Sequence, residues 1–181
     1  VTRDRAPATT GTYSGDGSQT DAAGGEARPQ VSAGVAGGSN HSWRYGLQAG
    51  GSTGQQTGLT DYNLSVNRCT AHGIRDHSAA RKNLANARLG ITLGDDSKLT
   101  LVANSVDLTA QDPLGLTPAA YASNHRSTAA LANTYNTRKT VQQTQVGATW
   151  DKKIDADNDL RLMIYGGQRD TVQYQSIPPA P

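Results

Sequence analysis

The sequence contains no phenylalanine, a single cysteine and a single methionine, and only 35% of its 181 residues are hydrophobic. One cysteine, Cys69, excludes an internal disulfide and any metal site built from several thiolates. No apolar run approaches the roughly 18 residues that a membrane-spanning helix needs. A water-soluble core normally uses more apolar side chains, because their burial must offset the entropy lost on ordering the chain. The composition therefore favours either a partly disordered chain or a β-sheet with apolar residues on one face and water against the other.

The charged residues give little indication of a reactive or nucleic-acid-binding site. The net charge is +2, and no basic stripe with interleaved aromatics appears, so we expect no nucleic-acid partner. The sequence has neither a phosphate-binding glycine loop nor a nucleophile elbow, and its four histidines are widely spaced. The acidic stretch 155–159 lacks the Gly and the distal Glu of a calcium loop. We therefore expect a protein that is not an enzyme and has no catalytic residue, metal or cofactor.

From Val31 onward, apolar residues recur with a period of two, which is typical of β-strands. Seven such stretches follow one another, and the sequence predicts no helix between them. The apolar positions are Val31, Ala33 and Val35; Trp43, Tyr45, Leu47 and Ala49; Tyr62, Leu64 and Val66; Ala85, Ala87, Leu89, Ile91 and Leu93; Leu99, Leu101 and Ala103; Val146, Ala148 and Trp150; and Leu160, Leu162 and Ile164. The pattern predicts an all-β antiparallel meander of about seven strands.

The connections between these strands alternate in length. Tight turns are expected at 94–97 and 155–158, and longer connections at about 73–80 and 108–137. Transmembrane barrels combine short periplasmic turns with longer extracellular loops. If the first strand runs outward from the periplasm, every tight turn is expected on the periplasmic side and both long loops on the extracellular side. The meander is therefore expected to be part of a transmembrane β-barrel.

The opposite strand face carries polar residues that we expect to point into the barrel lumen. Arginine on the lipid side would cost on the order of 2–4 kcal/mol at mid-membrane. The inward set is Asn86, Arg88, Gln143, Gln145 and Arg161. Trp43, Tyr45 and Trp150 lie near strand ends, where interfacial aromatic girdles occur, and the alternative is that the two tryptophans pack a core.

Residues 44–175 resemble the early barrel of TonB-dependent receptors, the family that imports ferric siderophores, haem and related scarce nutrients. Val1-Thr2-Arg3-Asp4 is similar to the end of that family's plug domain. The likeness in the barrel is carried by residues 45–51 (YGLQAGG), 73–83 (GIRDHSAARKN), 99–105 (LTLVANS) and 110–116 (AQDPLGL).

The resemblance implies two parts: residues 1–29 as the end of a plug and a flexible Gly/Ser-rich connector, and 30–181 as the N-terminal portion of an outer-membrane barrel. The chain is then expected to be a fragment in the bacterial outer membrane, in contact with its lipid. The segment that would contact TonB belongs to the missing plug. The implied ligand is a ferric siderophore, although haem, cobalamin, other cofactors and sugars use the same scaffold.

Loop cations and aromatics are the candidate ligand-binding residues: Arg75, His77, Tyr121, His125 and Arg126. Cationic groups would draw in an anionic ferric chelate by raising its local concentration. The alternative interpretation is that they are solvated loop charges or meet lipopolysaccharide phosphates. For the whole chain, the alternatives are a small closed outer-membrane barrel and a soluble β-rich surface binding module. Barrels of single bacterial chains have even strand numbers, and a soluble module needs a second sheet over its apolar face.

Overall fold

The computed structural model describes residues 29–53 and 57–176. Its strands form one antiparallel sheet in sequence order, so the predicted all-β meander of seven strands is confirmed. The predicted plug end and connector, 1–29, lies outside the described residues except for Pro29. The strands are β1 (Gln30–Gly38), β2 (Ser42–Ser52), β3 (Gly58–Ala71), β4 (Ala80–Gly94), β5 (Ser97–Gln111), β6 (Arg138–Lys153) and β7 (Asp159–Tyr174).

The strands are longer than the apolar alternation indicates. The sequence predicts the third strand over 61–67, whereas β3 runs from Gly58 to Ala71. The additional residues near the long connections are mostly polar, for example Arg68 and Asp107, which interrupts the apolar pattern. Main-chain pairing continues through both of them, since Arg68 pairs with Asn83 and Asn83 with Asp107. Backbone hydrogen bonding therefore extends the strands where side-chain patterning gives no signal.

The connections largely follow the predicted alternation. The tight turns 95–96 and 154–158 lie at one end of the sheet, together with the end of β2 and the start of β3. The longer connections 72–79 and 112–137 lie at the other end. The expectation that every tight turn shares one end is wrong in one case, because the β1–β2 turn at 39–41 lies at the long-loop end.

The prediction of no helix between strands is also wrong. The 112–137 connection contains α1 (Pro118–Ser123) and α2 (Ala130–Tyr135). Thr117 caps α1 by accepting a hydrogen bond from the Ala120 amide, and a proline follows at the first position, where its missing N–H is harmless. Asn136 ends α2 in the left-handed conformation. Helices of six residues are too short to produce a helical apolar period.

The sheet has almost no apolar core. Among the described apolar side chains, only Ala132 and Val141 are buried, and both lie where the 112–137 connection meets the sheet. β1 and β7 occupy the two edges and do not pair with each other, so the described sheet is open. Every residue of β1 is exposed, as is every residue of β7 except Leu160. Almost all of the apolar surface therefore lies uncovered.

Candidate functional site

The two long connections, 72–79 and 112–137, are joined into one folded unit, which we call the loop platform. Arg75 makes the principal contact. Its guanidinium donates hydrogen bonds to three main-chain carbonyls of the other connection: Ser127 (2.8 Å), Leu114 (2.7 Å) and Pro113 (3.1 Å). The rigid fork of an arginine suits several acceptors at once. Arg75 therefore fixes the position of a segment far from it in the sequence.

His77 and Asp76 extend this contact. A ring nitrogen of His77, Nε2, lies 2.8 Å from the carbonyl oxygen of Thr137. Because a carbonyl only accepts, this nitrogen carries the hydrogen. The Asp76 amide donates to the carbonyl of Arg126 at 3.2 Å. Thr137 is fully buried and its hydroxyl donates to the Asp112 carbonyl at 2.5 Å.

The 72–79 connection is shaped by a tight turn between Gly73 and Ser78. Gly73 has φ +81°, and a Cβ at this position would collide with the Ser78 side chain. The Ser78 hydroxyl accepts from the Arg75 amide at 3.2 Å, and also bonds to the Arg75 carbonyl. His77 adopts φ +57°, an uncommon conformation for a residue with a side chain. This backbone directs Arg75 and His77 toward the second connection.

The five residues proposed from the sequence as ligand-binding divide into two groups. Arg75 and His77 are half-buried and bonded within the loop platform. Tyr121, His125 and Arg126 are exposed on the 112–137 connection. The rings of Tyr121 and His125 lie near each other, with centroids 6.2 Å apart and planes at 55°. Only the second group has its side chains available to a ligand.

One face of the sheet carries a continuous band of exposed and half-buried apolar side chains, which we call the apolar stripe. Pairing places these residues opposite one another from strand to strand: Val31, Ala33, Val35, Trp43, Tyr45, Leu47, Ala49, Tyr62, Leu64, Val66, Ala85, Ala87, Leu89, Ile91, Leu99, Leu101, Ala103, Val146, Ala148, Trp150, Leu162 and Ile164. Val31 and Ile164 are each 72% exposed. Asn86, Arg88, Gln143, Gln145 and Arg161, the set predicted to share the other face, do share it.

Aromatic residues lie near both ends of the apolar stripe. Trp43 and Tyr45 stack near the long-loop end, with ring centroids 6.3 Å apart. Trp150 lies at the end of the tight turns, where its indole nitrogen donates to the Ser97 hydroxyl at 2.7 Å. Trp43 and Tyr45 are not in a core, since they are 48% and 46% exposed, and Trp150 is half-buried.

Charged side chains form a row across the polar face near the tight turns. The Asp61 carboxylate lies 2.9 Å from the Arg88 guanidinium and 3.1 Å from the Lys98 amine. Gly90 faces Asp61, and a Cβ there would overlap the carboxylate. Two strands further on, Arg161 and Asp151 pair at 2.5 Å. Sequence analysis missed the role of Asp61, because the contact depends on strand register.

The acidic β6–β7 turn is a self-contained hairpin turn. The Asp155 carboxylate accepts from the Asp157 amide at 3.0 Å and from the Asn158 side chain at 2.8 Å. The bond from the Asp157 amide, followed by that from Asn158, lowers the pKa of the Asp155 carboxyl below its ordinary value. Across residues 29–53 and 57–176, no three His, Cys, Asp or Glu side chains group closely enough to hold a metal ion.

The structure brings together two histidines that seemed unrelated in the sequence. His41 lies in the β1–β2 turn and His72 directly follows β3. Their ring centroids are 5.2 Å apart. Wide separation in the sequence concealed this pair, since only the pairing of β2 with β3 brings the two ends together.

Comparison with known protein families gives no assignment, since no family model matches the chain. Within the described part of the chain, no helix has the length and apolar character to cross a membrane. Fold and site together define an open all-β sheet with the apolar stripe on one face and a charged row on the other, where Met163 and Tyr165 are also exposed. A folded loop platform lies at one end of this sheet.

Proposed function

We propose that this chain is the early barrel portion of a TonB-dependent outer-membrane receptor, which imports a ferric siderophore or a similar scarce nutrient. The observation that carries the proposal is the apolar stripe on a sheet with almost no core. Moving a fully exposed Val or Leu side chain out of water stabilises a structure by about 1.5–3 kcal/mol. Since no described second layer covers the stripe, the hydrocarbon of a membrane is the cover that fits it.

The path of the apolar stripe supports a barrel. On β1 the stripe is centred on Ala33, which pairs with Leu47 of β2. On β5 it is centred on Leu101, whose row of paired residues runs through Leu89 and Tyr62 to Gly51 of β2. Measured along β2, the centre of the stripe thus moves from Leu47 to Gly51 between β1 and β5, which is about one residue per strand. With a rise of about 3.4 Å per residue and a strand spacing of about 4.8 Å, this displacement corresponds to a strand tilt of about 35°. Barrel strands tilt by about 35–45° to the membrane normal.

Strand length and polarity support the same orientation. β3 to β7 have 14 to 16 residues, more than the roughly 9–11 that cross a bilayer. Beyond the stripe, toward the long loops, the same face becomes polar. Arg81 and Asp107 pair there at 3.5 Å, beside Asn83. Such residues suit strands that continue past the membrane into water.

The receptor assignment depends on the resemblance, and the loop platform adds support to it. Two of the four family-like stretches, 73–83 and 110–116, meet in this platform through Arg75. The charged row around Asp61 lies on the face that would enclose a plug. We propose that Tyr121, His125 and Arg126 form the ligand-facing part of the platform, while Arg75 and His77 hold it in place.

Cysteine labelling tests the membrane assignment. In a Cys69→Ser background, single cysteines replace Leu89 on the apolar stripe or Asn86 on the polar face, and intact cells and membranes are treated with a polar maleimide. We expect Asn86→Cys to react in opened or detergent-treated membranes and Leu89→Cys to react only after denaturation. Equal aqueous labelling at both positions would contradict a lipid-facing stripe.

Uptake measurements test the receptor function separately. We expect a strain lacking the gene to lose growth on one class of ferric chelate under iron limitation, and the loss to match that of a strain lacking TonB. Tyr121→Ala and Arg126→Ala should weaken uptake without changing the amount of receptor in the membrane. Uptake that continues without TonB would refute the receptor assignment while leaving the barrel assignment intact.

A further inference from the structure

A pair of histidines lies at the long-loop end of the sheet. His41 belongs to the β1–β2 turn and His72 to the first residue after β3. Both side chains are exposed, and their ring centroids are 5.2 Å apart with the planes at 31°. Within the described residues neither ring makes a hydrogen bond or an ion pair, so no described residue engages either imidazole.

The backbone holds the two histidines at this distance. The His72 amide donates to the Asn40 carbonyl at 3.1 Å, which ties the β1–β2 turn to the end of β3. Asn40 and His41 both adopt positive φ, at +57° and +50°. Two successive left-handed residues at the centre of a tight hairpin turn match the twist of the flanking strands, and Asn is favoured there. The Ser42 amide closes this turn by donating to the Ser39 carbonyl at 3.2 Å, which holds His41 beside His72.

We infer that His41 and His72 together bind a zinc ion. A zinc–nitrogen bond of about 2.0–2.1 Å places each imidazole centroid about 3.2 Å from the metal. At the tetrahedral angle between two ligands, the centroids are then about 5.2 Å apart, whereas a right angle would bring them to about 4.5 Å. The observed separation matches the tetrahedral value. Both rings are exposed and can turn about χ2 to direct a nitrogen toward a shared ion.

Two protein ligands leave two positions for water or an external ligand. Since no third His, Cys, Asp or Glu joins the pair in the described part of the chain, the ion is exchangeable rather than structural. Imidazole also favours zinc over hard ions such as Mg²⁺, which prefer oxygen ligands. The site stands on the turn geometry alone and is independent of the proposed receptor function.

Zinc titration of the protein, purified without a polyhistidine tag, tests the site. Competition with a chromogenic zinc chelator at pH 7.5 should reveal one ion per chain, and Mg²⁺ should not displace it. We expect His41→Ala and His72→Ala each to weaken zinc binding by at least about 10-fold, as expected when one of two chelating ligands is lost. His125→Ala is the matched control, because it removes one exposed imidazole but leaves the pair intact.

X-ray absorption at the zinc edge provides a measurement independent of variant folding. We expect two imidazole nitrogens and two oxygens around the ion in the unmodified protein. Zinc binding by a His41→Ala/His72→Ala double variant with unchanged affinity would overturn the inference. So would a wild-type protein that leaves all zinc on the chelator at pH 7.5, or a loss of binding in His125→Ala alone.

Discussion

Replacing Arg75 by lysine separates its structural contribution from its charge. The guanidinium donates to three carbonyls of the 112–137 connection, at 2.8, 2.7 and 3.1 Å. A lysine keeps the positive charge, but its compact ammonium cannot span three acceptors. Each hydrogen bond from a charged donor contributes about 1.5–3 kcal/mol. Because the site is half-buried and water replaces some of the lost bonds, we expect a net loss of about 2–4 kcal/mol in the local stability of the loop platform.

Hydrogen exchange of the purified protein measures this loss directly. A decrease of about 2–4 kcal/mol accelerates exchange about 30- to 1,000-fold where the amides exchange through local opening. The amides of Asp112 and Ala129, which donate to Thr137 and Pro113, should show the effect. Amides in β4 and β5 should exchange as before. Arg126→Lys is the matched control, since the Arg126 side chain makes no hydrogen bond within the described residues.

For the proposed uptake function, the same variants distinguish two roles of Arg75. If the guanidinium acts by attracting an anionic chelate, Arg75→Lys keeps the charge and uptake stays near that of the wild type. If it holds the loop platform, uptake falls with the loss of protection. Unchanged exchange of the 112–137 amides in Arg75→Lys would refute the structural reasoning.

Three further predictions concern the sheet and its turns. Gly90→Ala should destabilise the purified protein by about 1–3 kcal/mol in urea unfolding, because the added Cβ overlaps Asp61, whereas Gly166→Ala, with open space around it, should not. Trp150→Phe should cost about 0.5–1.5 kcal/mol in the same assay through loss of the bond to Ser97, and an unchanged midpoint would show that bond to be unimportant. The pKa of Asp155, followed by NMR, should rise toward its ordinary value in Asn158→Ala. Because the pKa of the folded state is lowered, the stabilisation by this turn is complete above the ordinary value and is lost as the pH falls through the lowered one.

The sheet could be predicted from the sequence because its signal is local. Alternation at Leu99, Leu101 and Ala103 needs only neighbouring residues to be visible, and it placed the fifth strand correctly. The polar ends of the strands were underestimated, since main-chain pairing rather than side-chain pattern extends them. The two short helices were missed because six residues do not establish a helical period.

The contacts of the candidate site were much harder to predict. Arg75 was identified as a candidate from its charge, but its partners are main-chain carbonyls, which every residue possesses. The neighbours of Asp61 and the pairing of His41 with His72 depend on register between strands. Sequence analysis identifies residue types, and these contacts become visible only once each strand is aligned with the next.

Because these contacts depend on strand register, an error in one register would affect the assembly of the whole sheet. Each strand of the meander pairs only with its neighbours in the chain. The register of each strand is therefore set by its pairing with the strand before it. A slip of one residue between β3 and β4 would turn Leu89 to the polar face and Arg88 to the apolar one, and every later strand would follow. Gly90 opposite Asp61 makes one such misalignment costly, because only a residue without a side chain fits beside that carboxylate. Gly90 thus favours the observed register between β3 and β4, and the later strands are aligned relative to β4.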